Sequence, residues 1–111
     1  MDTLEQAKKI FDTLDEMKAN DLKLLKIDEI SSLGDYFVIS TGTSSTAVKA
    51  QSDKVEIKLK EEGIYPLRIE GYRSTGWILM DYGSVIVHIF TDEAREFYDL
   101  DRLWKDAEQI K

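Results

Sequence analysis

The stretch Tyr36-Phe37-Val38-Ile39-Ser40-Thr41-Gly42-Thr43-Ser44-Ser45 changes character midway. Its first half is aromatic and β-branched, the composition of a strand. Its second half is small and rich in hydroxyls, the composition of a turn that caps a helix. The spacing beyond it predicts a long helix over residues 45–62, with Val48, Ser52, Val55 and Leu59 on one face. Gly63 is a suitable stop for that helix. Pro66 is tolerated at the start of a strand but not in its middle, so residues 67–70 read as the next strand. A strand, a helix and a strand in succession predict a right-handed parallel crossover over residues 36–70.

Working outward, residues 2–18 read as an amphipathic helix with Leu4, Ala7, Phe11, Leu14 and Met17 on its apolar face. Asp2 or Thr3 can cap its start and Asn20 can end it. Residues 22–28 read as a strand, and the turn cluster at 31–35 joins it to residues 36–40 as an antiparallel hairpin. On the other side, residues 71–76 form a loop, residues 77–81 a fourth strand, Tyr82-Gly83 a turn and residues 84–90 a fifth strand. So tight a turn demands an antiparallel pair. After Thr91 or Asp92, the residues Ala94, Phe97, Tyr98, Leu100, Leu103 and Trp104 continue an apolar helical stripe. The order is αββαβββα: an α/β fold with a mixed five-stranded sheet and helices packed against it. Linkers, repeats and low-complexity segments are absent, so residues 1–111 read as a single domain.

The 111 residues carry 22 acids against 15 bases, a formal charge of −7. Affinity for phosphate backbones or anionic membranes needs clustered Lys and Arg, so neither nucleic acid nor a membrane surface is an expected direct partner. The absence of cysteine excludes disulfides, thiol catalysis and cysteine–zinc sites. A single histidine excludes any site needing two. The acidic, polar N-terminus resembles neither a signal peptide nor a transit peptide, and the expected location is the cytoplasm.

Three features invite a chemical reading. The Thr41–Ser45 loop precedes a helix N-terminus, where backbone amides favour an anion. It lacks the lysine of a P-loop and the glycines of a dinucleotide turn, so helix capping is the simpler role. A nucleotidyl-transfer enzyme built on this loop is the alternative reading. It needs carboxylates converging on magnesium, whereas the strands offer only Glu70 and Asp81, and Asp99 and Asp101 lie beside a helix start. His88 lies among Val85, Ile86, Val87, Ile89 and Phe90 in a strand apolar on both faces. Nothing beside it marks a nucleophile for a general base to activate. No catalytic residue, metal or cofactor is expected.

Three segments together resemble a known family. They are Asp35 through Ser45; Glu70-Gly71 with Trp77-Ile78-Leu79-Met80-Asp81-Tyr82-Gly83 and Val85 through Phe90; and Arg95, Phe97-Tyr98 and Leu100 through Trp104. In this order and spacing they are similar to the ribosomal silencing factor family, also called the Iojap family, over nearly the whole chain. The resemblance implies an α/β sandwich related to nucleotidyltransferases but without their metal carboxylates. It also implies binding to the large ribosomal subunit through ribosomal protein fourteen at the intersubunit face. Occupying that face would block joining of the small subunit and repress translation when nutrients are scarce. A homodimer off the ribosome is implied too. Thr46 and Ser84 depart from the family pattern, which often has a basic residue and an acid there.

The matching residues that are polar or aromatic among apolar strand positions are the expected partner contacts: Trp77, Asp81, Tyr82, His88, Arg95 and Tyr98. Tyr72 and Arg73 belong to the same group by composition, since Trp, Tyr and Arg are enriched at interface hot spots. Phe97, Leu103 and Trp104 read instead as core by helical spacing. Residues 61–111 hold eleven acids and six bases, so most of the excess negative charge accompanies the expected contact strands. A basic protein partner fits that distribution, with an attraction that weakens with salt.

Overall fold

The structure is a computed structural model that describes residues 1–30, 32–72 and 76–111, the side chain of Tyr72 excepted. Ser31 of the expected turn, and Arg73, Ser74 and Thr75 of the expected loop, lie outside the described residues. The elements are α1 (Thr3–Glu16), β1 (Asn20–Lys26), β2 (Tyr36–Gly42), α2 (Ser45–Lys60), β3 (Arg68–Tyr72), β4 (Trp77–Asp81), β5 (Val85–Thr91), α3 (Asp92–Tyr98), α4 (Leu100–Leu103) and β6 (Glu108–Gln109). The mixed sheet runs in the order β3-β4-β5-β2-β1-β6. Among the described residues it has six strands, where the sequence pattern predicts five. The sixth pairs Glu108 and Gln109 with Lys26 and Leu25, and two polar residues carry no alternation from which a strand is read.

The crossover does join strands of the same direction, β2 and β3, but they are not neighbours. β2 pairs in parallel with β5, from Tyr36 opposite Val85 to Gly42 opposite Thr91. β5 and β4 therefore lie between β2 and β3. The physical reason is burial. β5 is apolar on both faces and fully buried from Val85 to Phe90, as a central strand must be, whereas Arg68 and Glu70 suit β3 to an edge. The remaining pairs are antiparallel, the β1–β2 and β4–β5 hairpins included.

Helices α1 and α2 cover one face of the sheet. Ala7, Ile10 and Leu14 of α1, and Val48, Val55 and Leu59 of α2, pack with Leu24, Val38, Met80, Val85, Val87 and Ile89. Burying each large aliphatic side chain contributes roughly 1.5–3 kcal/mol. The buried stripe of α1 is rotated from the expected one, passing through Ile10 and Thr13 and leaving Phe11 partly buried. Asn20 opens β1 instead of ending α1, because Lys18 takes a left-handed turn at φ 59° that closes the helix earlier.

The caps follow the sequence. The Glu5 amide donates to Asp2 Oδ1 at 2.8 Å, the Ala47 amide to Ser44 Oγ at 3.1 Å, and the Ala94 amide to Thr91 Oγ1 at 3.2 Å. Gly42 is required by proximity, since a Cβ there would lie 3.0 Å from the Val48 amide nitrogen. The small loop is thus needed for α2 to start directly against β2.

Candidate functional site: an aromatic face of the sheet

The opposite face of the sheet has thinner cover. Leu25, Ile27, Phe37, Ile39, Ile86, Phe90 and Ala94 are buried there, with Trp77, Leu79, Leu100, Trp104 and Ala107 partly buried against them. Pleating decides who meets whom. Trp77 stands opposite Phe90, Leu79 opposite His88, and Asp81 opposite Ile86. His88 stands opposite Ile39, and Ile86 opposite Phe37.

The aromatic side chains on this face form a connected run. Trp77 lies 5.0 Å from Phe90 and 4.8 Å from Tyr98 between ring centroids. Phe97 meets Tyr98 edge-on at 5.1 Å. Phe37 meets His88 at 4.6 Å and Trp104 at 5.1 Å, both edge-on. Such pairs add about 0.5–1.5 kcal/mol each beyond burial and hold the rings in fixed orientations.

His88 is buried beneath this run. Trp77 Nε1 donates to its Nδ1 at 3.3 Å, which assigns the proton to Nε2. Burial pushes the imidazole pKa down to about 4, so the ring is neutral at physiological pH. Its basic nitrogen is occupied by Trp77 and its other nitrogen is enclosed without a hydrogen-bond partner among the described residues. His88 therefore has no lone pair to offer a substrate and sets the indole's position instead.

Arg95 is buried in an ion pair and not displayed. Its Nε and Nη2 donate to Asp101 Oδ2 at 2.7 Å and Oδ1 at 3.0 Å, and its Nη1 donates to Thr41 Oγ1 at 2.7 Å. Lys23 Nζ adds a bond to Asp101 Oδ1 at 2.9 Å. The hydrogen bonds from Arg95, followed by those from Lys23, hold the Asp101 carboxyl well below the usual carboxylate range, against the opposing effect of burial. This cluster ties α3 and α4 to β1 and β2 across the left-handed Asp99 at φ 49°.

The six expected contact residues thus do not share one surface. Trp77 and Tyr98 touch at the open face, His88 lies under them, and Asp81 sits at the border. The Asp81 carboxylate accepts from the Gly83 amide at 2.8 Å and faces Arg68 Nε at 3.3 Å, which closes the β4–β5 turn. Tyr82 lies on the other side, in the core beneath α1 and α2. Its hydroxyl pKa is pushed up to about 12, by burial first and by Glu56 second. Phe97 and Leu103 correct the helical-spacing reading: they are 80% and 73% exposed. The break at Asp99 resets the helical phase, so one stripe does not run through both helices. That break carries little sequence signal, because αL is tolerated by Asp without demanding it.

The Thr41–Ser45 loop acts as a cap, through Ser44 Oγ on the Ala47 amide. Asp92 and Glu93 line the same surface depression as Thr43, Ser44 and Ser45, so a phosphate at this helix N-terminus would meet two carboxylates. Among the described residues no three of His, Cys, Asp and Glu gather to hold a metal ion. Among them, too, no helix is long and apolar enough to cross a membrane.

Comparison with known proteins agrees with this geometry. The family model described as ribosomal silencing factor during starvation matches residues 1–111. The ribosomal silencing factor of Chromobacterium violaceum is 35% identical over 94% of this chain and 85% of its own length. That of Bacillus subtilis is 37% identical over 84% of this chain and 79% of its own. A mouse protein named for mitochondrial assembly of the ribosomal large subunit is 32% identical over 82% of this chain and 41% of its own length. These relatives are named for silencing or assembly and not for catalysis. A crystal structure of a Chromobacterium violaceum protein superposes with a TM-score of 0.89 at 34% identity, covering 95% of this chain and 88% of that one. With a family model spanning every residue and bacterial relatives sharing about a third of the sequence over most of their length, the chain belongs to the ribosomal silencing factor family.

Proposed function

We propose that this protein is a translational repressor of the cytoplasm. It binds the large ribosomal subunit through ribosomal protein fourteen at the intersubunit face and blocks the small subunit sterically. The observation that carries the reading is the aromatic run from Trp77 through Tyr98 to the exposed Phe97, on the sheet face that α1 and α2 leave open. Rigid aromatic anchors of this kind concentrate binding energy. A steric blocker needs no chemistry, only a footprint that overlaps another partner's. A standard interface buries about 800 Å² per partner, against a total surface of 6409 Å² here. Kinship to nucleotidyltransferases is read as shared architecture without their reaction.

In this reading Trp77 and Tyr98 touch the partner, with Asp81 at the rim. His88 positions Trp77, Arg95 fixes α3, which carries Tyr98, and the Tyr82 amide bonds Val85 across the turn. The acidic C-terminal half attracts a basic ribosomal protein, and raised salt weakens the contact. Off the ribosome the protein associates with itself. The test is co-sedimentation with purified large subunits. Trp77→Ala and Tyr98→Ala should each weaken binding by roughly 30-fold, the scale of a hot-spot truncation. Undiminished binding by both folded variants would place the contact elsewhere.

A further inference from the structure

The hydrogen bonds of Arg95 differ in what they join. The two to Asp101 connect α3 to α4, so they brace that corner within itself. Two other bonds of the cluster attach the corner to the sheet. One is donated by Lys23 Nζ of β1 to Asp101 Oδ1 at 2.9 Å, from a lysine side chain that is 35% exposed. The other is donated by Arg95 Nη1 to Thr41 Oγ1 of β2 at 2.7 Å and is buried. Pleating brings Thr41 to this face after Phe37 and Ile39. Both of those are apolar, and on burial alone a valine of the same shape would suit the position as well. What distinguishes threonine there is the oxygen that accepts from Arg95.

Thr41 is also held from behind. On the other side of the sheet Gln51 of α2 donates from Nε2 to the Thr41 carbonyl at 3.1 Å, and Ser40 Oγ donates to Gln51 Oε1 at 2.6 Å. Ser40, Thr41 and Gln51 are all buried, so the acceptor that meets Arg95 is fixed by both layers of the fold. The helix it holds needs such an anchor. α3 has seven residues, too few to be stable by itself. Arg95 and Tyr98 are three positions apart and are neighbours on the helix surface. Where Arg95 is held therefore decides how Tyr98 meets Trp77, 4.8 Å away between ring centroids.

We propose that Thr41 is a positioning residue for the partner contact: its hydroxyl anchors Arg95 and so sets the Tyr98 ring against Trp77. The inference rests on the repressor reading for its biological role, and its geometry is testable apart from it. Two measurements are made on each variant: co-sedimentation with purified large subunits, and the Trp77 indole N–H resonance of labelled protein, identified by its loss in Trp77→Phe. Thr41→Val keeps the shape and removes the acceptor. It should weaken binding about tenfold, less than the loss of Tyr98 itself, and should shift the resonance. Thr41→Ser keeps the hydroxyl and should restore both. Val55→Ala lowers stability from the core under α2, away from this network, and its folded form should bind like the wild type. Should Thr41→Val fail to fold, Arg95→Lys should give the same two effects, because a single ammonium cannot span Thr41 and Asp101 as the guanidinium fork does. Full binding by Thr41→Val, an unmoved resonance, a serine variant no better than the valine one, or equal weakening by Val55→Ala would each overturn the proposal. A wild type that does not sediment with large subunits would remove the repressor reading, and the resonance would then decide by itself whether Thr41 places Tyr98.

Discussion

Replacing Asp101 by Ala tests whether the corner between α3 and α4 is held by its ion cluster. The substitution leaves the Arg95 guanidinium in place with two of its three bonds gone. Breaking a buried pair by removing one partner costs about 3–5 kcal/mol, and a surface pair at most about 1. The Arg95 side chain is 10% exposed and that of Asp101 is 28%, so the lower end of the buried range applies, about 3 kcal/mol. For a domain of this size that corresponds to a fall in Tm of about 12 °C. Arg95→Met should cost less, about 2 kcal/mol, because it removes the buried charge and leaves Lys23 to pair with Asp101. The double variant should then be more stable than the sum of the two losses allows, by about 1 kcal/mol or more. Urea unfolding followed by circular dichroism at pH 7 measures all four proteins. An Asp101→Ala variant within about 0.5 kcal/mol of wild type, or a strictly additive cycle, would refute the reasoning.

Three further outcomes are expected. The His88 pKa falls from 6.5 unfolded to about 4 folded, so the unfolded state takes up the proton first; stability present above pH 6.5 should be lost as pH falls through 4. The loss is about 3 kcal/mol, and unfolding curves of His88→Gln should show much less of it, parallel curves counting against the buried neutral ring. Gly76→Ala places a methyl 2.5 Å from Thr91 Oγ1 at φ 65°, straining the backbone and disturbing the α3 cap. It should lower stability by about 2–3 kcal/mol in thermal melts. Leu103→Ser, by contrast, should change Tm by no more than about 2 °C, since exposed substitutions stay within roughly 0.5 kcal/mol.

Elements with strong periodicity are legible in the amino-acid sequence itself. β5 announces itself through six consecutive apolar or enclosed positions, and α2 through Val48, Ser52, Val55 and Leu59 after a capping Ser44. What stays hidden depends on distant partners. Nothing near Tyr36 says that its parallel neighbour begins at Val85, nor does Glu108-Gln109 look like a strand without the β1 edge beside it. The site divides the same way. Trp77 and Tyr98 stand out as aromatic residues at polar–apolar borders, and they meet. Arg95 stands out by the same reasoning, but its Asp101 partner lies past a backbone reversal at Asp99 that composition does not foretell. Tyr82 comes directly after Asp81, and pleating points it to the opposite side. A one-residue step is enough to separate two neighbours in sequence by the thickness of the sheet.

The parallel ladder between β2 and β5 also has a consequence in time. The chain is made from its N-terminus, so α1, β1, β2 and α2 are all synthesised before residues 85–91 are translated. Until then the Phe37, Val38 and Ile39 strand has a hairpin partner on one side only, and its other edge is exposed apolar backbone. The central pairing joins segments almost half the chain apart, and such contacts form late and slowly. The fold therefore cannot close around its centre before translation is nearly complete. A chain ended before Val85 would keep that edge open and should aggregate instead of folding.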